Sequence, residues 1–454
     1  NRKFFMPQLL IIDLKNYKTQ SFYEKEVVKR FILDENSSFL LSFDPYENED
    51  FTKQFPDVEM EIHDIKKATQ TIKLPNISGT LDRLVMGYKK ESLFYFKDKD
   101  WWLLDLNANK TMNITKNLEG TFYKEYDEYC AIDCAPAGKL IVTKDPNIVY
   151  LYDVFDIWKY NISKNKAIRL TNGREENKRY SFASCNFEAI DSSWQYTGSH
   201  ILKSSNKYLL QGLDLNNFSE SLAFLNRNEQ VESIVEKLGH VSEVKYQGTA
   251  IIYKEEAFNF PPRVVYLNTE SNKKKIIFQT YTNDSKVAQN KVELFTTNSS
   301  TGKIKSAIVR FPINYDPNKK YPAIVYVYEK KTPFIYRYQN VNEPSGSGFN
   351  YRSYINDDYF VIEPDIHYEI GNPGISASNS VNSILDELLN FYPIDPNRLG
   401  ILGHSFGGYE VNYIITQTNR FKTAVSSAGI SDPSSWYLTM NWNTMRPEFW
   451  RFED

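Results

Sequence analysis

The sequence is short of glycine, with 19 in 454 residues, against a usual share of about 7%. Glycine collects in flexible loops, so the expectation is that mobile or terminal segments are missing from these 454 residues. Cysteine is scarcer still: Cys130, Cys134 and Cys185. Three cannot build a disulfide framework, and no CxxC or Cys/His ligand spacing is present, which excludes the common zinc sites. Cys130 and Cys134 are near enough to pair with each other; isolated thiols are the expectation. No apolar run approaches the roughly 18 residues of a membrane span, so the chain reads as soluble. Charge of one sign is also lacking: Lys plus Arg is 54 and Asp plus Glu 57, a formal −3. That balance excludes a nucleic-acid binder dependent on phosphate neutralisation. The one basic run, Lys273 to Lys275, reads as a solvated turn. No phosphate-binding loop and no metal, nucleotide or flavin signal appears, so no cofactor is expected. The chain starts at Asn1 rather than Met, which reads as a processed or incomplete terminus with no signal peptide left to see.

Aromatic residues are plentiful, at 15% with 32 Tyr and 29 Phe, and suit strand-rich structure. The length implies two or three domains rather than one core. Through the first 285 residues or so one phrase recurs: an apolar strand, an Asp or Asn, an aliphatic residue, a polar turn, a second short strand. Its anchors are Asp13, Asp64, Asp105, Asn161, Asp214 and Asn268, with Asp214 in a weaker copy. The steps between anchors are 51, 41, 56, 53 and 54 residues. Periods of about 40 to 50 with several short strands each are the signature of β-propeller blades. A four-stranded blade has a face it cannot bury alone, and stacking against its neighbours covers it. Each anchor belongs in a hairpin turn, where its side chain bonds the local backbone. Six anchors predict six or more blades; the rival reading is a pair of β-sandwiches. No chemistry is assigned to the repeats.

Helical periodicity appears clearly only later, at Val381, Ile384, Leu385, Leu388 and Leu389, spaced i, i+3, i+4, i+7, i+8. The turn-rich stretches NDSKVAQN and TTNSSTGK mark a boundary near 285–300. From about 304 strands alternate with helices: 306–312, 321–328 and 359–366, then a helix at 381–391 capped by Ser378-Asn379-Ser380. Strand–helix alternation implies a mostly parallel sheet covered on both faces. Within it, Gly403-His404-Ser405-Phe406-Gly407 is a GxSxG motif between an apolar strand and an amphipathic helix. That turn lifts a serine hydroxyl above the sheet, and the amide of Phe406 faces a developing oxyanion.

The segment 395–432, DPNRLGILGHSFGGYEVNYIITQTNRFKTAVSSAGISD, resembles the prolyl oligopeptidase family of serine peptidases, on the dipeptidyl peptidase IV-like side. KYPAIVYVYE (320–329) is similar to that family's first core strands, and PDIHYEIGNPGISASNSV (364–381) to the segment before the elbow helix in Bacteroidetes-type members. The resemblance is close over about 305–440 and architectural over the repeats. It implies a β-propeller at 1–287 followed by an α/β-hydrolase domain at 288–454, the latter incomplete in this chain. It further implies that Ser405 is the nucleophile and that Phe406, through its amide, and Tyr328 form the oxyanion hole. The alternative for Tyr328 is an ordinary strand residue, alternating with Tyr326. Peptides are the implied substrates, cleaved after proline or small residues, and the bacterial periplasm or cell surface the implied location.

The rest of a catalytic triad is not legible. The family's acid and histidine follow the serine by some 80 and 110 residues, whereas 49 residues follow Ser405, and no histidine lies beyond His404. Asp432 falls too early for the family's acid. His404 is expected to pack against the sheet, His367 to be a loop residue, and His63, His200 and His240 to belong to the propeller. Glu175-Glu176 is the one glutamate pair that invites comparison with the family's amino-terminus binders, and it reads as a solvated turn. Without a base the serine is a poor nucleophile. The expectation is that the missing groups lie beyond these residues. The rivals are an inactive subunit acting in binding or assembly of a cell-envelope complex or homo-oligomer, and an esterase on the same elbow.

Overall fold

The computed structural model of the chain describes residues 9–22, 30–32, 38–45, 50, 52–53, 56–66, 71–78, 80, 82–88, 91–124, 134–188, 200–281, 286–298, 304–342, 345–442 and 446–453. It divides into two compact units: 1–210 with 224–232 and 437–454, and 211–223 with 233–436.

In the first unit three antiparallel sheets follow one another. The first joins Arg30–Ile32, Phe39–Phe43, Asp57–Asp64 and Thr71–Ser78; the second joins Leu84–Met86, Ser92–Lys97, Asp100–Asp105 and Lys110–Asn113. The third joins Ile141–Thr143, Ile148–Tyr152, Ile157–Asn161 and Lys166–Arg169, with Ile201–Leu202 added in parallel. The second sheet shows why they stack. Its strands alternate two apolar faces, so neither can be left in water. Leu84, Met86, Leu93 and Leu104 pack on Leu41, Met60 and Ile62 of the first sheet. Val85, Phe94, Phe96 and Trp101 pack on Val142, Val149, Leu151 and Trp158 of the third. A sheet covered on both faces by its chain neighbours is the packing that blades require.

A fourth sheet joins Lys178–Phe182, Lys207–Asp214, Glu220–Asn226 and Val231–Leu238, and a fifth His240–Gln247, Ala250–Ala257, Phe260–Asn268 and Lys274–Gln279. All six anchors sit in hairpin turns and accept backbone N–H bonds, as their residue type requires. Asp13 takes Lys15, Asp64 takes Lys66, Asp105 takes Asn107 and Ala108, and Asn161 takes Lys164. Asp214 takes Asn216, and Asn268 takes Ser271. In most sheets the anchor closes the third strand; Asp214 closes the second of its sheet, in keeping with its weaker sequence likeness.

Two expectations need correction here. The run Lys273 to Lys275 is exposed as expected, but Lys274 and Lys275 begin a strand rather than lie in a turn, the Lys274 ammonium 3.3 Å from the buried carboxylate of Glu255. Cys134 is disulfide-bonded rather than an isolated thiol, and Cys185 is free; Cys130 lies outside the described residues.

A further sheet is mixed and six-stranded. Its strands are β1 (Val292–Asn298), β2 (Ile304–Arg310), β3 (Tyr321–Val327), β4 (Phe360–Pro364), β5 (Ile394–His404) and β6 (Thr423–Ser427), in the order β1-β2-β4-β3-β5-β6. Strands β3 to β6 run parallel, while β1–β2 and β2–β4 are antiparallel. Helix α1 (Pro373–Phe391) and helix α2 (Phe406–Gln417) bury Val381, Ile384, Leu385, Leu388, Val411 and Ile414 in one core with Val325, Ile362 and Ile401. Each such side chain contributes about 1.5–3 kcal/mol of burial. Helix α1 starts at Pro373, eight residues before the apolar stripe. Ser378 and Ser380 are therefore not caps but buried inside it. The reason is tertiary: Ser380 Oγ accepts the His367 amide, and Ser376 Oγ accepts that of Glu369. The hydroxyls are spent on docking the loop after β4. Proline at the first helical position presets φ and starts the helix instead.

Candidate active site

Ser405 lies between β5 and α2 with φ 58° and ψ −119°, a backbone region that residues with a Cβ rarely enter. Its amide donates to the Ser427 carbonyl of β6, and its carbonyl accepts from Gly408 and Tyr409 as the helix begins. The flanking glycines are dictated by contact. A Cβ on Gly403 would lie 2.1 Å from the Gly407 carbonyl oxygen, and one on Gly407 2.2 Å from that of Val327. The motif therefore folds as its spacing predicts, with the amide of Phe406 at the N-terminus of α2.

The second of those contacts also locates Tyr328. It follows β3 directly, and its Cδ2 would be 3.2 Å from the same Gly407 Cβ. Its ring thus flanks the start of the elbow helix. Tyr326, by contrast, is buried and stacks on Phe349 with ring centroids 4.0 Å apart. Of the two alternate tyrosines, Tyr326 is the core residue.

Among the described residues no side chain hydrogen-bonds Ser405 Oγ. His404 turns away: its Nδ1 lies 3.2 Å from Ser427 Oγ on the neighbouring strand. Asp432 is exposed and accepts the Ser434 amide, capping the turn Pro433–Tyr437. His63 bonds Ser42 Oγ, His240 bonds Glu220, and His200 stacks edge-on against Phe187. Glu175 and Glu176 lie in a short helix, Gly173–Glu176, rather than a bare turn. Glu175 pairs with Arg169 at 2.6 Å and Glu176 accepts from Tyr180 at 2.7 Å. No group of three or more His, Cys, Asp or Glu suited to a metal ion occurs among the described residues, and none of their helices is long and apolar enough to cross a membrane.

Sequence reasoning passed over a polar scaffold beneath the elbow. Asp365 is buried and accepts from the amides of Lys331 and Thr332, at 2.6 and 2.9 Å, and from Thr332 Oγ1 at 2.5 Å. The Ile366 amide donates to the Glu329 carbonyl. Tyr368 donates its hydroxyl to Glu410, a wholly buried carboxylate on α2, and its ring leans on Phe406. Arg310 and Glu363 form a buried ion pair at 2.6 Å. Glu410 carried the one available signal: an acidic residue beside Val411 on the buried side of an amphipathic helix.

Residues 379–453, which span the elbow, match the model of the prolyl oligopeptidase family, Peptidase_S9. Over that stretch the chain is similar to the prolyl oligopeptidase family. An uncharacterized peptidase of Bacillus subtilis, YuxL, is 44% identical over 63 residues, 14% of this chain and 10% of that protein. Dipeptidyl-peptidase 5 of Porphyromonas endodontalis is 25% identical over 229 residues, 47% of this chain and 32% of that protein. The chain thus matches a third or less of the length of these two relatives. A crystal structure from Bacteroides ovatus, provisionally assigned as a dipeptidyl aminopeptidase IV, covers 97% of this chain and 68% of its own with a TM-score of 0.62. At 15% identity that likeness concerns the fold. The two chains share a fold, with repeated four-stranded sheets and a mixed six-stranded sheet in this one.

Proposed function

We propose that this chain is part of a serine peptidase of the prolyl oligopeptidase type, with a propeller at 1–287 and a hydrolase domain at 288–454. The observation that carries the reading is the elbow itself: Ser405 held at φ 58° between a parallel strand and a helix N-terminus. Ser405 Oγ attacks a peptide carbonyl, and the oxyanion accepts from the Phe406 amide and the Tyr328 hydroxyl. A general base takes the Ser405 proton and gives it to the leaving amine as the acyl-serine forms, and the same base then takes a proton from the water that hydrolyses it. No described side chain bonds Ser405 Oγ to act as that base. The exposed flank of β6, where Val425 is 49% accessible, supports further strands of the sheet there. Substrates would be short peptides, cleaved after proline or small residues. A periplasmic or cell-surface location fits the disulfide at Cys134, since such bonds persist in oxidising compartments.

The lack of a partner for Ser405 Oγ among the described residues favours a second reading, a catalytically inactive subunit of an envelope complex. Intact mass of the natural protein, followed by fluorophosphonate labelling, separates the two. Labelling that disappears in Ser405→Ala is the expected result. A natural protein that matches these 454 residues in mass and does not label would overturn the peptidase reading.

A further inference from the structure

We propose that Lys331 is a positioning residue for Tyr328: its ammonium, seated between the Tyr326 and Tyr328 rings, holds the Tyr328 phenol beside the elbow and strengthens its hydroxyl as a donor to the oxyanion. The proposal rests on the reading of Ser405 and Tyr328 given above. Lys331 Nζ is 4.7 Å from the Tyr326 ring centroid and 4.8 Å from that of Tyr328. Both lie within cation–π range, where a cation is drawn to the negative face of the ring. Tyr326 is the fixed wall, locked by its stack on Phe349. Tyr328 is the half-buried wall, next to Gly407. The cation therefore ties the movable ring to the immovable one.

The backbone that delivers it is held in place. Asp365 binds the amides of Lys331 and Thr332 as well as the Thr332 hydroxyl. Glu329, two residues earlier, takes a positive φ of 44° and has its carbonyl bonded by Ile366. A turn with this many fixed points sends the lysine in one direction. Burial pushes the ammonium below the usual lysine range, while Glu363, Glu329, Glu410 and Asp365 act to keep it charged. A positive charge against a phenol ring draws electron density from the O–H, and in a poorly solvated site that effect is screened less than in water. The benefit grows as charge develops on the oxyanion, so it belongs to kcat rather than to KM.

The test uses the full-length protein and peptidyl-aminomethylcoumarin substrates. Lys331→Met keeps the length and removes the charge; Lys331→Gln takes its place should the Met variant melt early. The expected result is a fall in kcat of roughly three- to thirty-fold, the range of one cation–π contact, with KM little changed and activity restored by Lys331→Arg. On a Tyr328→Phe background the same change should cost less than about twofold, because coupled residues are not additive. An undiminished loss on that background, a loss confined to KM, or no loss at all would overturn the proposal. Wild-type activity in Tyr328→Phe would overturn it too, by removing Tyr328 from the site while leaving Ser405 labelling intact. Failure of wild type to label at Ser405 would instead bring down the underlying reading and this proposal together.

Discussion

Adding one methyl at Gly407 should disable the elbow without unfolding the protein. The new Cβ would stand 2.2 Å from the Val327 carbonyl oxygen and 3.2 Å from Tyr328 Cδ2. The first contact is with backbone at the end of a central strand, so no side-chain rotation relieves it. The start of α2 and the end of β3 must instead part by about 1 Å, an overpacking strain that typically costs 1–3 kcal/mol. For a domain of this size that lowers the melting temperature by roughly 2–4 °C per kcal/mol. The functional cost is larger, because the Phe406 amide sits on one side of the gap and Tyr328 on the other. A misplacement of about 1 Å at a reacting centre costs on the order of 100-fold. Gly346→Ala is the control, since a Cβ there meets nothing within 4 Å. The assay is the second-order rate of fluorophosphonate labelling in full-length protein, read beside thermal melting. Gly407→Ala should label about 100-fold more slowly, and Gly346→Ala at the wild-type rate. A folded Gly407→Ala that labels as fast as wild type would refute the claim that this contact sets the geometry of the elbow.

Three further outcomes follow from the same geometry. Ser405→Gly should melt above Ser405→Ala: relief of positive-φ strain is worth about 1–3 kcal/mol, less about 0.4–1 kcal/mol for the freer unfolded chain. Equal melting points would mean that the elbow is not strained. Asp365→Ala leaves two amides and a hydroxyl without their acceptor, and should cost about 3 kcal/mol or more in urea unfolding. Asp365→Asn, which retains one acceptor oxygen, should cost clearly less, and equal losses would contradict the hydrogen-bond account. His200 is held below its usual range first by burial and then by the charge of Lys139. The unfolded chain therefore takes the proton first, and stability present above pH 6.5 is lost as pH falls below it. Thermal melts across that range should show a shallower decline in His200→Phe; an unchanged decline would remove His200 from the cause.

What was legible in the sequence was what is settled within a few residues. An Asp or Asn that closes a hairpin bonds amides two or three positions on, so the six anchors could be read from spacing alone. The elbow was legible for the same reason, since Gly403 and Gly407 meet across one tight turn. Where a residue answers to a distant partner, local reading failed. Ser378 and Ser380 look like caps until the loop after β4 is seen bonding into that helix. Lys274 looks like a turn residue until its strand is seen paired with Phe260–Asn268, which sets it 3.3 Å from Glu255, 19 residues away. Strand β1 goes unread, lying between the turn-rich stretches NDSKVAQN and TTNSSTGK and overlapping the second by three residues. Its residues are mostly half-buried, and only its full pairing with β2 makes it a strand.

The site divides along the same line, and that bears on the choice between peptidase and inactive subunit. What shapes the nucleophile is present, and much of it is local: the strained serine, the Gly403–Gly407 contact and the helix N-terminus, with Val327 and Tyr328 reaching it from the end of β3. A binding surface has no need of a serine held at φ 58°, and strain of about 1–3 kcal/mol is a large fraction of a typical stability of 5–15 kcal/mol. What would activate the nucleophile is non-local. His404, the one histidine adjacent in sequence, is turned to Ser427, and the rest of this sequence supplies no histidine after it. The two readings therefore agree on every contact described for Ser405 and differ only in whether its hydroxyl reacts. A rate of covalent labelling in the full-length protein separates them, because a serine without a base leaves the elbow intact and the label unbound.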